Sequence, residues 1–172
     1  MSLFLLLVLA ILDACLPSCA DSREPFTFDV DETMPFDGQA LVVEAMGKWC
    51  SVTRPGFCPS IDGGHWRVAN AAPPAPCPAN IVGCTTFDDR IVWITPGLSS
   101  AAMRVAALHE LGHVIGLLHT CVSARADFSS AYPEAPPCAP GKSLGAMDPD
   151  NGGSELSDVD KTECRRVGAC DP

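Results

Sequence analysis

No stretch of this sequence is long and apolar enough to span a bilayer. The longest unbroken apolar run, Leu3 to Leu12, has ten residues, against roughly 20 for a membrane helix. Positive charge is scarce. Eleven Lys and Arg face 21 Asp and Glu, a formal net charge of −10. A surface this acidic repels phosphate backbones, which excludes nucleic acid as a partner. No Cys-x-x-Cys pair occurs among the ten cysteines, which argues against a four-cysteine zinc site. Tyrosine is nearly absent, with Tyr132 alone, and there are only four histidines. Internal repeats and low-complexity tracts are missing too. The 172 residues suffice for one domain of ordinary size and not for two well-packed ones.

Ten cysteines in so short a chain point to disulfides in an oxidising compartment. The run Leu3–Leu12 matches the core of a signal peptide, although no Lys or Arg precedes it. Two cuts fit the small residues that follow. Cleavage after Ala20 suits an ordinary signal peptidase; cleavage before Cys19 suits a bacterial lipoprotein, with Cys19 carrying lipid. Either leaves eight cysteines, whereas a cut before Cys15 leaves Cys19 unpaired. The expected organisation is a signal segment over 1–20 and one folded domain over 21–172, secreted or held outside the cytoplasm by a lipid anchor at Cys19, and monomeric.

Periodicity gives the elements. Residues 26–31 alternate apolar with polar and read as a strand. Leu41, Val42, Ala45, Met46 and Trp49 have helical spacing over 39–50. Residues 51–64 read as loop, 65–70 as a short strand, and the four prolines within 71–80 force irregular chain. Arg90 to Thr95 is the clearest strand, stopped by Pro96-Gly97. Ser99 or Ser100 then caps a helix to about Gly116, apolar on almost every side and hence buried. Residues 120–143 are irregular. Ser157 followed by Asp160 forms a capping-box pattern for a last helix over about 158–167.

The chemistry lies in His109-Glu110-Leu111-Gly112-His113 and the following Gly116 and His119. Residues four apart share one helix face, so His109 and His113 can converge on one ion. Glu110 sits roughly 100° round the helix and can reach a water on the metal without displacing it. Glycine at 116 permits the left-handed turn that brings His119 back as a third ligand. Three protein ligands leave a position open on zinc, as in catalytic sites. Typical residue usage makes a chance match of these positions on the order of 10⁻⁵ in a chain this long.

The extended motif resembles the metzincin clan of metalloproteases, which pair it with a methionine turn. Leu144-Gly145-Ala146-Met147-Asp148-Pro149 is a candidate turn, with Met147 28 residues after His119. The order of elements is similar to matrix metalloproteinase-like (matrixin-like) catalytic domains, here of bacterial type. The resemblance implies an α+β, zincin-like single domain: a small twisted, mostly parallel sheet with an active-site helix and a C-terminal helix. It also implies a zinc-dependent endopeptidase acting on protein or peptide substrates. Its one catalytic zinc would be held by His109, His113 and His119, with Glu110 as general base on a metal-activated water. Met147 would form a floor beneath the metal. The strand at 90–95 has two readings of equal weight, an edge for an extended substrate to pair with and a plain sheet strand. Two departures stand out. Pro149 occupies the position where some metzincins have tyrosine, and the cysteine motif of a latency propeptide is missing.

Other residues carry weaker signals. His65 reads as a structural or exposed histidine. Asp148, Asp150, Asn151 and Asp160 suggest calcium only faintly. They do not follow the EF-hand spacing, and turns and capping explain them. Short loops favour Cys50–Cys58 and Cys77–Cys84, and Cys121–Cys138 would staple the segment between His119 and Met147. Two other functions compete: a binding or inhibitory protein that keeps zinc without turnover, against which Glu110 argues, and a zinc hydrolase acting on a non-peptide amide.

Overall fold

A computed structural model describes residues 26–61, 63–75, 77–78, 81–124 and 135–172. The signal-like segment 1–20, with Cys15 and Cys19, and Tyr132 lie outside the described residues. Four strands, β1 (Phe28–Val30), β2 (Trp66–Asn70), β3 (Gly83–Thr86) and β4 (Ile91–Ile94), form one sheet in the order β1-β2-β4-β3. The first three in that order are parallel and β3 runs antiparallel to β4. Three α-helices accompany it: α1 (Phe36–Cys50), α2 (Ser100–Val114) and α3 (Asp158–Arg166). This is the expected small, mostly parallel sheet with a central and a C-terminal helix.

The core lies where α1 and α2 meet each other and one face of the sheet. Phe28, Val42, Trp49, Val68, Val92, Ile94 and Leu108 are all fully buried there. Trp49 joins the two helices by donating its indole N–H to the Leu108 carbonyl at 2.8 Å, so its one polar atom is satisfied as it is buried. Helix α1 starts at Phe36, three residues before the apolar spacing begins. Pro35 precedes it and Phe36 itself is exposed, so its first residue adds nothing to the buried stripe. Ser99 caps α2 by accepting the Ala102 N–H, and Ser157 and Asp160 form the capping box of α3.

One expectation is corrected. The strand at 90–95 is not an edge: β4 is paired on both sides, to β2 and β3. The edges are β1 and β3, and the one beside β4 is β3, a strand without apolar alternation in its Gly-Cys-Thr-Thr sequence. It forms because the chain turns at Phe87–Arg90 and lays these four residues back along β4.

Disulfides join Cys50–Cys58, Cys77–Cys84, Cys121–Cys138 and Cys164–Cys170. The first three are the expected pairs, and the fourth closes a short loop after α3. Cys84 lies in β3, so its bond to Cys77 ties the edge strand to the preceding loop. Among the described residues no helix is long and apolar enough to cross a membrane.

Candidate metal centre

Helix α2 ends just after it has presented His109 and His113 on one face. The termination is a Schellman motif. The Gly116 N–H bonds to the His113 carbonyl at 2.9 Å, and the Leu117 N–H reaches back to the Gly112 carbonyl at 3.0 Å. Gly116 has φ of 97°, a conformation open to glycine at little cost. The reversal places the Leu117 carbonyl at 2.9 Å from His113 Nδ1 and returns the chain so that His119 faces the helix.

The three Nε2 atoms of His109, His113 and His119 form a triangle with every side 3.2 Å. His109 Nδ1 lies 2.8 Å from the Ala146 carbonyl. A carbonyl only accepts, so Nδ1 carries the hydrogen in both His109 and His113. Their Nε2 lone pairs therefore point at one another. Burial holds the three imidazoles far below their usual value, His109 at about 4 and His113 and His119 at about 3, with the neighbouring histidines adding to the effect. Two Nε2 lone pairs with no hydrogen of their own, converging with the Nε2 of His119, form a donor set that a cation fits. Tetrahedral coordination at about 2.05 Å sets ligand nitrogens about 3.3 Å apart, so the spacing fits zinc.

Glu110 is buried beside this triangle, and β3 covers it. The Thr85 hydroxyl lies 2.9 Å from Oε2 and 3.1 Å from the Glu110 carbonyl. Burial pushes the Glu110 carboxyl up to about 8, against the lowering effect of the Thr85 hydrogen bond.

The segment 144–149 packs against α2. Met147 is fully buried beneath α2, and a Cβ at residue 112 would run into its Sδ and crowd Trp49. Glycine within the histidine motif is thus required by the approach of another segment. Asp160 of α3 holds the turn: its carboxylate accepts the N–H groups of Ala146 at 2.8 Å and Met147 at 3.0 Å. The Ala146 carbonyl then receives His109 Nδ1–H, so the last helix orients a ligand on the central one. Asp148 accepts the N–H groups of Leu144, Asp150 and Asn151. Asp148 and Asp160 thus serve the turn and the cap, while Asp150 accepts the Ser123 hydroxyl at 2.6 Å. Cys121, Cys138 and Asp148 also cluster, but the two cysteines are disulfide-bonded and offer no thiolate. His65 is exposed and apart from the triangle.

Two cavities flank the site. One of about 270 Å³ touches all three histidines, and one of about 250 Å³ lies toward Val105, Pro149 and Asp150. Both border Ile81, Gly83, His109 and Glu110, so together they make a cleft running past the edge strand. Sequence reasoning placed the three histidines, Glu110, Gly116 and Met147. It missed Gly83, Thr85 and Gly112, whose importance comes from close approach and carries no spacing signal.

A three-histidine cluster with a neighbouring glutamate, in an α+β fold, is a donor set that fits a metallopeptidase-type centre. The family model described as Matrixin matches residues 46–132, just over half of the sequence, and the chain belongs to that family. The family is one of zinc-dependent metallopeptidases. The match ends before Met147. No curated protein matches the chain.

Proposed function

We propose that this protein is a zinc endopeptidase in which His109, His113 and His119 hold the metal and Glu110 is the general base. The observation that carries the reading is the convergence of three Nε2 atoms, each pair 3.2 Å apart, beside the buried Glu110 carboxyl in a cleft along an edge strand. Zinc bound there supplies Lewis acidity, which acidifies a water toward a pKa of about 7, polarises a carbonyl oxygen, and favours the ionised form of Glu110.

The chain's own groups do the rest. His109 and His113 keep their hydrogens on Nδ1, turned to the carbonyls of Ala146 and Leu117, and so present lone pairs without a rotameric search. Edge strand β3 offers unpaired main-chain groups to an extended peptide and sets its scissile bond across the histidines. Glu110 takes a proton from water as the water oxygen adds to the carbonyl carbon. It then delivers that proton to the departing nitrogen as the C–N bond breaks. The second proton of the water ends on the same nitrogen, so the products are a carboxylate and an ammonium.

The four disulfides support a working place outside the cytoplasm. Residues 1–20 would direct export, residues 21–172 would form the monomeric peptidase domain, and Cys19 is the site for a lipid anchor if the cut falls before it. Glu110→Gln tests the mechanism. The zinc-loaded variant should bind zinc as wild type does and cleave labelled casein at least about 100-fold more slowly. Full activity in that variant would sink the reading.

A further inference from the structure

Two residues of the edge strand are committed to Glu110. Gly83 and Thr85 lie on the same face of β3, being two apart. A Cβ at Gly83 would come within 2.8 Å of Glu110 Cγ and 3.0 Å of Oε1. Thr85 Oγ1 stands 2.9 Å from Oε2 on the other side. The opposite face is fixed independently: Cys84 is bonded to Cys77, and Thr86 Oγ1 accepts the indole N–H of Trp93 at 3.2 Å. The strand therefore cannot drift without breaking those ties, and it makes a rigid wall around the glutamate.

The Thr85 hydroxyl has one hydrogen and two acceptors in reach, Oε2 at 2.9 Å and the Glu110 main-chain oxygen at 3.1 Å. When the carboxylate is ionised, that hydrogen belongs on Oε2. When Oε2 is protonated, its O–H can donate to Oγ1 and the threonine hydrogen can turn to the main-chain oxygen. Both arrangements use the same heavy-atom positions. Valine, serine and threonine differ here in a telling way, since only the last two can do this.

We propose that Thr85 is a positioning residue for Glu110: its hydroxyl, 2.9 Å from Oε2, holds the carboxyl at the cleft in the space that Gly83 leaves open. The inference rests on the general-base reading of Glu110. An alternative is a purely architectural tie between β3 and α2, made through the main-chain oxygen alone.

The test compares zinc-loaded wild type, Thr85→Val, Thr85→Ser, Gly83→Ala and Glu110→Gln on one quenched-fluorescent casein peptide, with melting temperature and zinc affinity measured for each. Thr85→Val should lower kcat about 10- to 100-fold, the scale of one hydrogen bond to a charged group, with KM within about twofold. Thr85→Ser should restore kcat to within about threefold of wild type, and Gly83→Ala, with Thr85 intact, should lower kcat by crowding the same carboxyl. Three results would overturn the proposal: an unchanged kcat in Thr85→Val, equal impairment of serine and valine, or a kcat loss matched by falls in melting temperature and zinc affinity. Gly83→Ala keeps it testable if the valine variant does not fold, because unchanged kcat there removes the cradle. An active Glu110→Gln breaks the base reading itself; an inactive one beside a fully active Thr85→Val removes only the role of Thr85.

Discussion

The chain up to Gly116 and the chain after it are held together by different physics. The first part contains all four strands and the two long helices, and its interior is apolar: Val42, Val68, Val92, Ile94 and Leu108 are fully buried. The second has one nine-residue helix and two disulfides. Of its buried carboxylates, Asp148 and Asp160 accept backbone N–H groups, while Glu163 pairs with Arg166. Both parts contribute to the candidate metal centre. His109 and His113 stand on a helix buried by apolar packing, whereas His119 and Met147 sit on irregular chain ordered by carboxylates and cross-links. Ligand geometry can thus rest on irregular segments when their polar backbone groups are individually satisfied.

Three changes would sharpen that contrast. Leu108→Ala should have the largest effect on stability, about 3–5 kcal/mol, because it opens a cavity at a fully buried site in the first part. Urea unfolding of the chelator-treated variant measures it, and zinc affinity of the molecules still folded should change little. Asp160→Ala should cost less stability, about 3 kcal/mol. It should nevertheless weaken zinc binding, since it frees the Ala146 segment whose carbonyl orients His109. Competition against a zinc chelator reads this; unchanged affinity would break the link between α3 and the ligand. Replacing both Cys121 and Cys138 with Ser should have the smallest effect on stability, about 2–3 kcal/mol for a loop of this length. Activity should fall more than melting temperature, because the bond borders the chain between His119 and Met147. Equal falls would argue that the cross-link serves the whole fold and not the site.

How much of this could be read in advance follows from the same division. Strands with apolar alternation and helices with caps were legible, as at Phe28–Val30, Ile91–Ile94 and the capping box of Ser157 and Asp160. Strand β3 was not, because Gly83-Cys84-Thr85-Thr86 has no alternating apolar pattern and becomes a strand only by pairing with β4. That omission moved the expected substrate edge to β4, which is paired on both sides. Disulfides across short separations were guessed by proximity in the chain, yet Cys164–Cys170, the shortest, was not singled out. Within the site, His109 and His113 announce themselves by helical spacing, while Gly112 and Gly83 announce nothing. Each is glycine because a distant side chain, Met147 or Glu110, needs the room.

Spacing along the chain already carried the three histidines, the glutamate beside them, the glycine that ends the helix and the resemblance to a peptidase family, because all of these depend on one helix and the turn that ends it. Only the tertiary structure decided which strand borders the cleft, how Asp160 orients His109 through the Ala146 segment, and that Thr85 faces Glu110. Those relations join residues far apart in the chain, and they are settled by how close two backbones can approach and by which buried polar groups must find a partner.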